Sequence, residues 1–508
     1  MKKNSKIILS AGVIYLLLVL LLFAAEFRDA NTGIHSIWDA LWYSLITVTT
    51  VGYGDIAPVT PAGRLIGAIF ALCSVGVFAT LIGIGIRIIG GQIVPGLRLK
   101  RNRSKPWYVF NEMNEDTLAL ADSLSKTENC TLIFLEGEKS DLVPDAIWLN
   151  IGYTRFLRRI KDRKNAAFFF MGEDPWQNYS HGLDVAGDGM QAYSMSSAAV
   201  DQLPENLHLF CREEALSRFY WQEHPLRREE TCVVLIGCGL YGSALLERAL
   251  LTNIYEAGRT TEYHVFEDTA QFQAIHSELS EVLSLGLAGE DRLFFHNESW
   301  TECRGLIQDA DRVIICQDSD QAGMNTYDTL KKWYVAPQAV HVRLSEEYQG
   351  ITAFGERKKT LTREFVMKDQ INRLAIRMND LYNEGTQNPT PWNALSGFYR
   401  ASNIAAADHL IVKVRYLLDN DNLTVLTRED CQKAYERYRE QYAEKAELFE
   451  EMEHRRWMRF SQMSNWTYAQ MRDNRQRRHP LLIPYEELSE EEKRKDDFAW
   501  ELLGRLKI

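Results

Sequence analysis

The sequence predicts a composite fold: a membrane-embedded α portion of two spans with a re-entrant loop, then tandem parallel α/β units, then a mostly α carboxyl-terminal module. Three observations predict it. Two uncharged apolar runs, residues 7–25 and 65–86, flank a short glycine-containing stretch. Between residues 107 and 343, short apolar strands alternate with polar helical stretches. From Pro391 the texture turns to charged helix interrupted by tryptophans. Composition agrees with a small membrane portion on a large soluble one: of 508 residues, 46% are hydrophobic and 25% charged. A mean hydropathy of −0.27 excludes a polytopic transporter. The net charge of −11 argues against a nucleic-acid partner. The eight cysteines include no C-x-x-C pair, a pattern that suits a reducing compartment and offers no zinc site.

The first apolar run is long enough to span as a helix, about 28 Å at 1.5 Å per residue. Lys2, Lys3 and Lys6 precede it, and Arg87, Arg98, Lys100, Arg101, Arg103 and Lys105 follow the second run. Basic residues stay on the cytoplasmic side, so both termini face the cytoplasm and residues 26–64 face out. A cleaved signal peptide is the other reading of the first run, but it would strip the second span of its partner.

Residues 37–49 are amphipathic and aromatic, with Trp38, Trp42 and Tyr43, but too short to cross a bilayer. They lead into Thr50-Val51-Gly52-Tyr53-Gly54-Asp55. A dehydrated cation needs a cage of oxygens, and backbone carbonyls supply one when successive residues aim theirs at one axis. The two glycines permit the backbone angles this takes. Thr50 adds its hydroxyl, while Val51 and Tyr53 pack outward against the short helix. Non-helical backbone at this depth must line a water-filled path, and four copies around an axis complete the cage. The run, with Pro58-Val59-Thr60 behind it, resembles the two-span potassium channels. That resemblance implies potassium as the permeant ion and a homotetramer in a lipid bilayer. Where the family often has a hinge glycine this chain has Ser74, with Gly76, Gly83 and Gly85 further along to bend the helix or pack it closely.

Residues 92–106, basic and broken by Pro95, Gly96 and Pro106, read as a linker after a pore over 1–91. Strands are expected at 107–110, 131–135, 166–171 and 207–211 for a first unit over 107–229. For a second unit over 230–385 they are expected at 232–236, 263–266, 292–295, 312–316 and 339–343. There the first strand enters Gly237-Cys238-Gly239-Leu240-Tyr241-Gly242 and then a helix, the context of a dinucleotide turn. The glycines let a pyrophosphate approach the helix N-terminus, and Glu267 after the next strand is placed for a ribose hydroxyl. The same glycines also serve helix packing in a ligand-free sheet. The first unit has Asn111-Glu112-Met113-Asn114 where glycines belong, so its site is expected empty. Two Rossmann-like units behind a potassium pore resemble the channels with RCK domains (regulators of potassium conductance), over about residues 106–380. That resemblance implies a cytoplasmic ring of eight units in which ligand binding pulls on the inner helices; NAD(H) or a cation at the second unit is the rival regulator.

Beyond Pro391 stand Trp392-Asn393, Arg400-Ala401-Ser402-Asn403, Ala407-Asp408-His409 and Lys413, then a charged helical stretch over 427–463. It leads to His454 and Trp457, Trp466 and Tyr468, Arg472-Asp473, His479-Pro480 and Pro484-Tyr485. The string resembles the ryanodine receptor repeat over about 449–497, with 391–427 a companion segment, in a module of 391–508. Asn465 and Ala469 stand where that family has glycines. The resemblance implies recognition of an adenine-containing nucleotide. Trp457 and Trp466 offer flat faces to a base, Tyr468 a pocket wall, Arg472 a fork for phosphate and His479 a second donor. Tryptophans at helical spacing are also core residues, and His454 suits a structural role. The basic run 475–479 is read as a solvated face and the acidic run 486–497 as a solvated helix.

These features point to a homotetrameric, ligand-gated, potassium-selective channel of a prokaryotic cell membrane, with a nucleotide sensor at its carboxyl end. One rival keeps the pore, moves the sensor to glycines 237, 239 and 242, and leaves the terminal module structural. The other, a membrane-tethered nucleotide-processing enzyme, has no nucleophile–base pair or metal cluster in its favour. No catalytic or metal-binding residue is therefore expected.

Overall fold

The computed structural model describes residues 2–88, 93–160, 163, 165–197, 200, 202–256, 258–285, 290–333 and 339–506. Of helix and strand residues 2–12, 73–81, 84, 85, 87, 88, 333 and 339 only the backbone is described, so Ser74, Gly76 and Gly85 lie outside the described side chains. The chain divides into two compact units, Met1–Ser104 with Ile147–Asn150, and Lys105–Ala146 with Ile151–Ile508.

In the first unit helices cover Lys2–Glu26, Ile37–Val48, Pro61–Ile88 and Val94–Arg101, so both expected apolar runs are helical. Among the described residues no helix is long and apolar enough to cross a membrane. The short helix Ile37–Val48 starts at a capping box, Ser36 Oγ accepting from Asp39 N at 3.2 Å and Asp39 Oδ2 from Ser36 N at 2.8 Å. Val19, Leu22, Ile34, Ala40 and Phe70 form a small core among the first three helices. Glu26, fully buried, accepts from Thr32 Oγ1 at 2.7 Å, Val59 N at 3.0 Å, Thr60 N at 2.9 Å and Thr60 Oγ1 at 2.6 Å. One carboxylate thereby holds the turn out of the first helix against the turn into the third. A Cβ on Gly63 would lie 1.9 Å from Glu26 Oε1, which is why glycine stands there.

The second unit is built on two parallel sheets. In the first, Thr131–Phe134, Trp107–Phe110, Ala166–Phe170, Gln191–Met195 and Leu207–Phe210 lie side by side in that order. In the second the order is Thr352–Phe354, Ala339–Arg343, Arg312–Ile315, Cys232–Ile236, Glu262–Phe266, Arg292–His296. The inner strands Trp107–Phe110, Ala166–Phe170 and Cys232–Ile236 read as continuous apolar runs because both of their faces are covered. Gln191–Met195 escapes the sequence reading because Gln191 and Ser194 interrupt its run, and Thr352–Phe354 because it is three residues long. Each sheet reverses its strand order once, the second between Cys232–Ile236 and Arg312–Ile315, where ligands of such sheets bind.

The carboxyl-terminal helices Gly397–Leu418 and Arg428–Met463 pack into the same unit, the longer one kinked at Lys445. Leu216 and Trp221, Leu235 and Leu245, and Phe460 and Met463 share one core, which therefore crosses residues 230 and 391. Residues 407–415 of the helix Gly397–Leu418 are buried on every face, polar residues included, while Tyr399 near its start is exposed. Asp408 pairs with Arg218 and Arg248, each at 2.9 Å. Lys413 Nζ donates to Glu453 Oε2 at 2.5 Å, and Arg456 Nη2 to Glu453 Oε1 at 2.6 Å. The companion segment noticed in the sequence is thus a buried ionic seam. The acidic run departs from expectation: it forms short turns at Tyr485–Glu487, Glu490–Lys493 and Arg494–Asp497 in place of one helix. Asp497 is drawn inward to accept from Tyr438 at 3.1 Å and Tyr442 at 2.5 Å, which a continuous solvated helix would not allow.

Candidate functional site

In the first unit, Thr50, Gly52 and Gly54 have φ of 61°, 53° and 76°, and the intervening Val51 and Tyr53 do not share the left-handed region. Alternating hands turn successive carbonyls to one side. The amides of Val51 and Gly52 donate to Ile46 O at 2.9 and 3.2 Å, so the carbonyls anti to them point away from the short helix. A Cβ on Gly52 or Gly54 would meet nothing within 4 Å, so φ and not room demands glycine there. Thr50 is β-branched, and holding it left-handed costs about 1–3 kcal/mol, a strain that concentrates at functional positions. The Tyr53 ring stacks on Trp42 with centroids 6.2 Å apart, and Trp42 Nε1 donates to Asp55 at 3.1 Å. The run Thr50, Val51, Gly52, Tyr53, Gly54 is therefore an oxygen-lined loop braced by the short helix.

In the second unit, the strand Cys232–Ile236 enters its glycine turn and the helix Leu240–Thr252. Each glycine has a packing reason. Gly237 has φ 95°, a Cβ on Gly242 would lie 1.9 Å from Gly237 O, and a Cβ on Gly239 would lie 2.5 Å from Asp318 Oδ2. The Asp318 carboxylate also accepts from the Leu240 and Tyr241 amides, both at 3.5 Å. A carboxylate of this chain stands where a pyrophosphate was expected. Glu267, expected at a ribose, accepts from Gln317 Nε2 at 2.8 Å. Beside the turn opens a cavity of about 1170 Å³ lined in part by Gly239, Ser243, Phe210, Trp392 and Arg400. Asp318 lies beyond the strand Arg312–Ile315, at the place where the strand order reverses; polar residues just after that strand were the signal that could have found it. In the first sheet Asn114 caps the helix Glu115–Thr127, accepting from Thr117 N at 2.8 Å and donating to Met171 O at 2.7 Å. Asparagine takes the place a phosphate cradle would need.

At the carboxyl end the long helix presents His454 and Trp457, then turns at Asn465, whose φ of 56° explains asparagine where glycine was the pattern. The pair of two-residue strands Thr467–Tyr468 and Arg478–His479 then folds His479 back. Its ring meets Trp457 at 4.9 Å and Trp466 at 6.2 Å between centroids. Trp466 is only 8% exposed, packed on Phe398 at 5.7 Å, so neither of its faces is open for stacking in this chain. Its indole N–H is buried and finds no acceptor among the described residues. Tyr468 points outward at 56% exposure, and exposed Arg472 Nε donates to Asn474 at 2.8 Å. Burial, then the neighbouring Arg472, holds His479 below the usual histidine pKa. His454 is structural, bonded to Ile483 O at 2.9 Å. Trp457, Trp466 and His479 thus come together, while Tyr468 and Arg472 form the rim.

Residues 7–90 match the family model described as ion channel, and residues 433–505 the model of the RyR domain. A voltage-gated potassium channel of Aeropyrum pernix is 44% identical over 62 residues, covering 12% of this chain and 21% of the relative. The potassium voltage-gated channel KQT member 4 of Homo sapiens is 41% identical over 85 residues, 16% of this chain and 12% of that one. The chain thus spans about a fifth or less of these curated relatives. Among solved structures, a GsuK bound to ADP aligns with 72% of this chain and all of its own at 14% identity and a TM-score of 0.36. A GsuK channel bound to NAD aligns with 76% of this chain and 86% of its own, at 12% identity and a TM-score of 0.34. The chain is similar to potassium channels in its first segment and to the RyR domain in its last, and the matched family is an ion channel, not an enzyme.

Proposed function

We propose that four copies of this chain form a potassium-selective membrane channel whose cytoplasmic part is regulated by a nucleotide. The alternating left-handed residues Thr50, Gly52 and Gly54, with amides returned to Ile46, carry this reading. Four such loops stack carbonyl rings that replace the hydration shell of a permeating potassium ion. Similarity of this same segment to potassium channels supports it. On this reading residues 1–91 are the pore, 92–106 the linker, 107–229 and 230–385 the two RCK-like units and 391–508 the terminal module, with both termini cytoplasmic. Purified protein in planar bilayers should pass potassium far better than sodium; equal permeability would overturn the assignment.

For the ligand we favour an adenine-containing nucleotide at Trp457, Trp466 and His479, with Tyr468 and Arg472 at the rim. The buried, unpartnered indole N–H of Trp466 supports it, since such a donor is costly unless a ligand accepts from it. The base would meet Trp466 edge-on and stack on exposed Tyr468 or on Trp457. Asp318 at the second glycine turn weighs against the rival site for NAD(H). Binding gates only if it differs between closed and open states. Four sites each contributing about 1 kcal/mol would shift opening roughly a thousandfold. Calorimetry with adenine nucleotides on the full chain tests this, with loss of binding in Tyr468→Ala or Arg472→Ala as the expected result.

A further inference from the structure

We propose that His296, Glu298 and Cys303 bind a borderline divalent transition metal, Zn²⁺ by preference, at the carboxyl end of the edge strand Arg292–His296. Glu298 Oε1 lies 3.0 Å from His296 Nδ1 and 3.6 Å from Cys303 Sγ, and one donor atom from each of the three residues falls within 4.8 Å of the others. Tetrahedral zinc with bonds of about 2.0 Å to nitrogen and oxygen and about 2.3 Å to sulfur needs donor separations of roughly 3.3–3.6 Å. The two Glu298 separations are near that spacing, and the third pair closes from within 4.8 Å as the metal draws the donors in. In the metal-free arrangement Glu298 Oε1 accepts from the Cys303 thiol and from the imidazole proton at His296 Nδ1. On binding, the dication takes the place of both protons, and the ring stays neutral by losing the Nδ1 proton to water and taking one at Nε2. The thiol proton passes to water as the sulfur binds.

The local fold sets the donors without help from a cysteine pair. His296 ends a strand. Ser299 caps the turn Trp300–Glu302, Trp300 is buried beneath it, and the chain returns Cys303 to the strand end. Cys303 begins the helix Arg304–Asp309 but makes no side-chain cap bond to it, so its thiol is left for Glu298. This explains why spacing alone offered no zinc site: the ligands are one residue of each type.

A second observation points the same way. The far nitrogen of His296, Nε2, lies 3.0 Å from His264 Nδ1 on the neighbouring strand, and His264 Nε2 lies 3.7 Å from Glu262. When the metal binds, Nε2 carries the ring proton and His264 Nδ1 is placed to accept it, which fixes the tautomer with Nδ1 bare toward the metal. The rings are held flat, His296 on Phe266 at 4.3 Å and His264 on Phe294 at 4.6 Å. Mixed nitrogen, oxygen and sulfur donors suit zinc or cobalt over calcium or magnesium. Three protein ligands leave a fourth position for water or an incoming donor. The strand ends here lie beside Phe266, whose carbonyl accepts from Gly237 N at 2.9 Å, so the metal would sit one strand away from the glycine turn.

Co²⁺ titrated into the chelator-treated full chain tests the site. One equivalent per chain should produce a thiolate-to-cobalt charge-transfer band that Zn²⁺ abolishes by displacement. Cys303→Ser should lose the band, Cys232→Ser should keep it, and His264→Phe should keep it with affinity lowered about ten- to a hundredfold. Glu298→Gln, an exposed and isosteric change, should weaken binding without disturbing the far-UV circular dichroism. Absence of a thiolate band in the wild-type chain, or its persistence in Cys303→Ser, overturns the proposal.

Discussion

Arg459 of the long helix Arg428–Met463 donates to Asp291 at 2.8 Å, and the two side chains are only 1% and 5% exposed. Glu290 accepts from the same guanidinium at 2.5 Å. The contact joins the terminal module to the start of the strand Arg292–His296, so a displacement of that helix is felt in the second sheet through a buried ion pair.

Removing the arginine takes the charge partner from buried Asp291, which keeps the Thr261 amide at 2.8 Å, while Glu290, a fifth exposed, keeps Arg455 at 3.6 Å. Arg459→Ala is expected to cost about 3–5 kcal/mol of stability, read as a lowered midpoint in denaturant unfolding of the full chain. A loss below about 1 kcal/mol would mean that water reaches the pair in solution.

The filter reading predicts that Gly52→Ala abolishes potassium-selective current. The left-handed φ of Gly52 resists any side chain, although the added methyl meets nothing within its own chain. Tetramer assembly, followed by size-exclusion chromatography, should persist. A selective current in Gly52→Ala would remove the loop from the ion path.

Asp318 predicts a gain. Neutralising it by Asp318→Asn frees the amide end of the helix Leu240–Thr252 for an anion, so dinucleotide affinity should rise by about fivefold, roughly 1 kcal/mol. Unchanged affinity would show that the carboxylate does not compete there.

Trp466 separates two roles by two substitutions. Trp466→Phe keeps a packed ring and removes the indole N–H; it should leave the melting temperature nearly unchanged while weakening adenine-nucleotide binding by about tenfold. Trp466→Ala should destabilise by about 3–5 kcal/mol as a cavity opens against Phe398. If Trp466→Phe binds as tightly as wild type, the indole is core alone.

Two buried histidines set an acid limit. Burial, then Arg312, holds His341 at about 3, and burial holds His409 at about 4. Unfolded, both take up protons near pH 6.5. Below that pH the unfolded chain binds protons the folded chain refuses, so stability is full above about 6.5 and declines toward pH 4, by up to about 1.4 kcal/mol per unit for each histidine. His341→Gln should flatten the decline measured by urea unfolding between pH 6.5 and 4.5.

What the residues determine by themselves is whatever depends on near neighbours. Contiguous apolar runs mark Trp107–Phe110, Ala166–Phe170 and Cys232–Ile236 as buried strands, because a run buried on both faces needs no polar alternation. Gly52 and Gly54 announce left-handed backbone, since glycine alone adopts it freely. His454, Trp457, Trp466 and His479 mark the terminal module by their spacing. Tertiary structure decides what those groups face. Asp318 comes to Gly239 from the end of the neighbouring strand, Phe398 covers Trp466, Asp291 takes Arg459, and the paired rings of His264 and His296 stand on separate strands. Each pairing joins residues far apart in the chain. Local propensity carries no record of them, because burial and electrostatic partnership are properties of packed surfaces and arise only when the sheets and helices close on one another.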